Sequence, residues 1–199
     1  MARPPRFDTD QILDAAVRLG AAGPGGVTMS AVAQAIGAPS GSMYHRFPGR
    51  SALLAEVWLR TVERFQQGYF DALHSDSDPH RAARAAARHV VSWSRAHPQE
   101  AQLLLYGAEE FGRGDWSQEH RERADLGNRR VFDSLGDLAA TLGAARPQDR
   151  ERIALAVVEL PLSVVRRHLR AGDSLPPHAE DLAEQCAAAL LQADEQPAP

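Results

Sequence analysis

The stretch from Ser40 to Arg50 reads SGSMYHRFPGR and gathers a glycine, two serines, a tyrosine and a histidine in one short segment. Set on a helical wheel, Met43 and Phe47 mark an inward side, Gly41 and His45 point away from it, and Ser42 and Tyr44 flank the outer face. On an isolated helix Gly41 costs ~1 kcal/mol relative to alanine, so something beyond the helix must want that face small and polar. A helix entering a DNA major groove has that need. A small residue lets the backbone approach, while hydroxyl, phenol and imidazole groups reach phosphates and base edges. Arg46 lies about 60° from Met43 on the wheel, which leaves it open between a DNA contact and an ordinary ion pair.

Other chemistries find little support. No two of the eight histidines stand at i, i+3 or i, i+4, so no helix presents a ready metal pair. There is no nucleophile elbow, phosphate loop or CxxC, and neither a cofactor nor catalysis is called for. Arg113-Gly114-Asp115 reads as an inter-helix turn. The single cysteine, Cys186, excludes an intramolecular disulfide. No apolar run approaches the ~20 residues that cross a bilayer. The N-terminal MARPPRFDTD lacks the apolar stretch of a signal peptide, so a cytoplasmic address without a membrane partner is expected.

A hydrophobic fraction of 44% and a charged fraction of 24% are those of an ordinary folded protein. All basic residues are arginines. Residues 1–50 carry five arginines against three aspartates, a sum of +2, so the rest must hold −6 to reach the net charge of −4. The basic end is the one that carries the polar helix.

The elements that must hold that helix are helical too. Ile12, Ala16 and Leu19 recur at helical spacing behind Asp8 or Thr9 as N-cap, predicting a first helix over 9–22. Gly23 to Gly26 end it, and Thr28 caps a short second helix with Met29, Val32, Ala33 and Ile36 inward. Gly37 closes that helix and Pro39 forbids its continuation, which makes Ser40 the expected cap of a third helix over 40–47. Two short helices across a glycine turn are a helix-turn-helix. Pro48 and Gly49 break the third helix before a long fourth one. Further helices are predicted over 79–96, 98–111, 116–142, 147–171 and 177–191, with Pro161 kinking the last but one. The expected fold is all-α with about nine helices.

Residues 9–54 resemble the DNA-binding domain of TetR-family (tetracycline-repressor-like) transcriptional regulators. The resemblance is carried by TDQILDAA, by VTMSAVAQAIGAPSGSMYHRF and by PGRSALL. It implies a DNA-binding domain over 1–50, with Thr28, Ser42, Tyr44 and His45 at the DNA surface and Arg50 on a phosphate. The residues' own pattern adds Ser40 and Gly41 to the expected DNA surface, and Arg46 as the residue open between a DNA contact and an ion pair. Gly20 stands where the family often has an aromatic, which implies a smaller core around the first helix.

For residues 51–199 the resemblance implies a helical ligand-binding and dimerisation domain. The expected effector site is a cavity among Trp93, Tyr106, Phe111, Trp116 and Phe132, with His97, Glu159 and His168 as polar handles. Two-sided apolarity over 153–169 points to a helix buried on both sides. Paired with 182–190, where the resemblance implies dimerisation, it gives an expected dimer interface of Val158, Leu162, Val165, Leu169, Leu182, Cys186, Ala189 and Leu190, the alternative being an entirely intramolecular bundle. The expected molecule is a homodimeric repressor of a pseudo-palindromic DNA operator, released by a small-molecule effector. The alternative is an all-α small-molecule-binding protein or enzyme with a vestigial helix-turn-helix.

Overall fold

The computed structural model describes residues 8–144 and 146–192, and the N-terminal MARPPRF lies outside them. The described residues are helical, joined by turns. The helices are α1 (Thr9–Gly20), α2 (Met29–Ala35), α3 (Ser40–Tyr44), α4 (Arg50–Leu73), α5 (Pro79–Ala96), α6 (Pro98–Leu104), α7 (Gln118–Thr141), α8 (Pro147–Ala154), α9 (Leu160–Ala171) and α10 (Ala179–Gln192). A π turn, Leu155–Glu159, runs without a break from α8 into α9. Counting those three pieces as one gives nine helices among the described residues. No described helix is long and apolar enough to cross a membrane.

The residues group into two compact units, 8–63 with 99–125, and 64–98 with 126–192. In the first, α1 opens on a capping box: the Gln11 amide donates to the Asp8 carboxylate at 2.7 Å, and the Asp8 amide to the Gln11 side chain at 3.3 Å. The helix stops at Gly20, short of residue 22. Ile12, Leu13, Ala15, Ala16 and Val17 are buried with Val32, Met43, Phe47, Leu53, Val57, Leu103 and Phe111 in one core. A Cβ on Gly20 would meet the Val27 and Leu103 side chains at 3.2 and 3.3 Å, with the Phe111 ring at 3.7 Å, so these three side chains close in on the glycine.

Carboxylates and arginines frame this unit. Arg60 donates to Asp14 at 2.7 Å and reaches Asp10 at 3.4 Å. Arg123 forks onto Glu63 at 2.6 and 2.8 Å and onto Glu56 at 2.9 and 3.1 Å, and these carboxylates hold its guanidinium still more firmly protonated.

The helix expected over 98–111 ends at Leu104. The chain then turns through Gly107 and Gly112, the latter at φ +75. The next helix starts at Gln118 because Trp116 is extended and the Ser117 hydroxyl accepts from the His120 amide at 3.2 Å. Arg113–Asp115 is a single 3₁₀ turn, as expected of an inter-helix segment.

In the second unit, alanines let α5 approach α10 closely. Ala83 and Ala87 pack in one core with Ala187, Leu191, Ile153 and Val157. Arg84 to Glu184 at 2.8 Å, Arg88 to Asp181 at 2.6 Å and Arg95 to Glu180 at 2.8 Å fix the register of the two helices. Gly68, inside α4, makes room for the His89 ring, into which any Cβ would run. Burial lowers the His89 pKa, opposed by the Phe65 carbonyl at 3.2 Å and by Asp71.

Candidate nucleic-acid interface

The α2 to α3 connection follows from its residue types. Gly37, at φ +66, closes α2 in a Schellman arrangement: its amide donates to the Gln34 carbonyl at 3.1 Å and the Ala38 amide to the Ala33 carbonyl at 2.9 Å. Pro39 then sets the chain at φ −61 and occupies the N-cap position of α3. This corrects the expected cap. Ser40 is the first residue within the helix, and no side chain caps it.

The regular helix is also shorter than 40–47, ending at Tyr44. Bonds from the Arg46 and Phe47 amides to the Met43 carbonyl, at 3.0 and 2.9 Å, carry the chain through the following turn with Met43 and Phe47 on one side. Met43 and Phe47 are buried, Tyr44 is 58% exposed, and Ser40, Gly41 and His45 are exposed as well. A Cβ on Gly41 would meet nothing within 4 Å. No neighbour inside the protein therefore requires a glycine there.

Two hydroxyls are already committed within the chain. Ser42 donates back to the Pro39 carbonyl at 2.7 Å, which leaves its oxygen only as an acceptor. Thr28 accepts from the Ala31 amide at 3.1 Å as the N-cap of α2. Ser30, 3.2 Å from the Thr28 oxygen and exposed, adds a hydroxyl at the same edge that the motif reading passed over. Its signal was present in Thr28-Met29-Ser30, where a cap is followed by an outward hydroxyl. Arg46 is half-buried.

Arg50 departs most from expectation. Its Nε donates to the Val27 carbonyl at 2.8 Å and its Nη2 to the Pro24 carbonyl at 2.7 Å. The guanidinium assigned to a phosphate is bound into the turn that precedes α2.

The eight residues expected around an effector divide between the two units. Phe111 and Trp116 are core residues of the first unit, with the Trp116 Nε1 donating to the Phe111 carbonyl at 3.0 Å. Tyr106 packs against that same core, and its hydroxyl lies 3.6 Å from where a Cβ of Gly23 would stand. The other five belong to the second unit. There Trp93 and His97 meet at 5.1 Å between ring centroids, while Phe132 is 74% exposed and Glu159 is exposed. A groove of about 850 Å³ in the first unit includes Trp116 alone of the eight, and a cleft of about 240 Å³ in the second, between Leu73 and Leu138, includes none.

The expected dimer residues divide as well. Val165 and Leu169 are buried inside their own unit, at 1% and 8% exposure, and so cannot face a partner. The backbone turns them inward because Ile153, Val157, Pro161, Val165 and Leu169 follow one side of the α8 to α9 run. Val158, Leu162, Cys186 and Leu190 are half-buried, while Leu182 and Ala189 are exposed.

A buried helix-turn-helix scaffold showing a small polar face defines the class: a DNA-binding regulator of transcription. Residues 12–57 match the model described as bacterial regulatory proteins, tetR family, so the resemblance of this segment to that family's DNA-binding domain is shown. The whole fold is similar to that of a fatty acid degradation regulator FadR from Bacillus halodurans, at 17% identity and TM-score 0.71 over 99% of this chain and 100% of that one. It is similar to the TetR-family regulator PfmR from Thermus thermophilus, at 22% identity and TM-score 0.68 over 94% and 97%. It is also similar to FadR from Bacillus subtilis, solved in complex with stearoyl-CoA, at 14% identity and TM-score 0.71 over 92% and 98%. No curated protein matches the chain.

Proposed function

We propose that the protein is a homodimeric, sequence-specific repressor, acting in the cytoplasm on a pseudo-palindromic DNA operator that a small-molecule effector makes it release. Residues 1–50 form the DNA-binding domain and residues 51–199 the effector-binding and dimerisation domain. Thr28, Ser30, Ser40, Gly41, Ser42, Tyr44, His45 and Arg46 meet the duplex. The observation that carries this reading is Gly41. A glycine with open space around it, between exposed Tyr44 and His45 and above buried Met43, has a use only against an external surface that comes close.

The test is to sequence duplexes retained by the purified protein from a random pool. The expected product is a pseudo-palindrome with half-sites about 34 to 36 Å apart, or a multiple of that. Retention without sequence enrichment refutes specific recognition, and a single asymmetric half-site refutes the dimer. Because one protein of similar fold was crystallised with stearoyl-CoA, that compound is the first effector probe, with loss of the retained duplex as the expected result.

A further inference from the structure

The Arg50 side chain starts at the first residue of α4 and ends on two carbonyls of the Pro24–Val27 turn, at 2.7 and 2.8 Å. That turn is tightly placed from its other side. A Cβ on Gly26 would lie 2.9 Å from the Leu19 carbonyl oxygen, Gly23 stands at φ +117, and Val27 is fully buried. Thr28 follows at once, and its hydroxyl caps α2 by accepting from the Ala31 amide. A planar guanidinium can span two carbonyls with donors in a fixed fork, which a lysine ammonium cannot reproduce.

We infer that Arg50 is a positioning residue for DNA recognition and not a phosphate ligand: it fixes Val27, and so sets Thr28 and the first turn of α2 against the start of α4. This deepens the DNA-binding reading and rests on it. Two of the guanidinium's donors are spent inside the fold, so its charge acts on the helix-turn-helix frame before it acts on DNA.

The experiment compares Arg50→Lys and Arg50→Ala with the unmodified protein, at a temperature where circular dichroism shows all three folded. Affinity is measured by fluorescence anisotropy over a range of NaCl concentrations. The probes are a duplex selected by the unmodified protein and a scrambled duplex of equal length. Loss of a charged fork should weaken the selected duplex about tenfold in both variants. Affinity for the scrambled duplex and the salt slope should stay unchanged.

A phosphate ligand behaves otherwise. Lysine then restores binding, while alanine weakens both duplexes alike and lowers the slope by ~1 per lost contact, and that result overturns the inference. A lower melting temperature with unchanged affinity for the selected duplex also overturns it, since the role is then structural only. Hydrogen exchange reads the same geometry without DNA. The Val27 and Ala31 amides should exchange faster in both variants, and unchanged exchange refutes the positioning role. If the unmodified protein binds no duplex, the DNA-binding reading fails on its own evidence, whatever the exchange shows.

Discussion

A leucine at Gly41 would collide with nothing inside the protein, because no atom lies within 4 Å of the position its Cβ would take. The substitution should favour the isolated helix by ~1 kcal/mol of propensity and leave the unfolding midpoint unchanged or raised. Its effect should fall on DNA, where the added side chain fills the space through which the backbone approaches. We expect at least about a tenfold loss of affinity for the selected duplex, measured by anisotropy beside a thermal melt, by analogy with the ~1–3 kcal/mol carried by a good base contact. Normal binding by Gly41→Leu would mean that α3 does not enter the groove by this face. Ser42 carries a different lesson at the same scale. Its hydroxyl points to the outer flank on a wheel, yet its hydrogen is given to Pro39, and a wheel records direction without recording what a short polar side chain finds locally.

Pro161 shows how one residue reshapes an element. It has no N-H for the Val157 carbonyl four residues earlier, and the run departs from α geometry over Leu155–Glu159, where the Leu160 amide reaches back to the Leu155 carbonyl. The buried Tyr69 hydroxyl donates to the Val157 carbonyl at 3.4 Å, and burial pushes this phenol well above its ordinary range. Tyr69→Phe should leave that carbonyl short of a donor and cost about 1 kcal/mol, the low end for a buried unsatisfied group given the long bond. Pro161→Ala restores an N-H to the helix, so the double variant should lose less than the sum of the two single ones. Urea unfolding of all four proteins gives the coupling directly, and strict additivity would show that the phenol and the proline do not share this carbonyl.

At the scale of the whole molecule, the proposed dimer has available to it the side of α9 and α10 that the chain leaves accessible. Leu182 is 42% exposed and Leu160 38%, with Leu162, Cys186 and Leu190 half-buried, whereas Val165 at 1% belongs to the interior. Leu162→Glu and Leu182→Glu should therefore yield folded monomers by light scattering. Val165→Glu should instead destabilise each protomer by several kcal/mol, since it buries an unpaired charge. A folded, monomeric Val165→Glu would reverse this division of roles, and a monomeric unmodified protein would remove the interface.

The sequence by itself determined the helical class, most helix starts and the helix-turn-helix, because caps, glycine turns and apolar spacing act over only a few residues. Asp8, Thr28, Gly37 and the Met43 and Phe47 pair do in the structure what their spacing implies. Tertiary structure decided what depends on residues far apart in the chain. Phe111 and Leu103 fill the space beside Gly20, Tyr69 serves a carbonyl freed by Pro161, and Arg50 turns to Pro24 and Val27. The same holds for which apolar side of α9 faces inward, since two-sided apolarity satisfies the sequence pattern equally well from either side. Local patterns fix where a helix lies and which residues share a face. Only packing decides which partner each face and each long polar side chain reaches, because burial and hydrogen bonding are settled by neighbours that sequence spacing does not bring together.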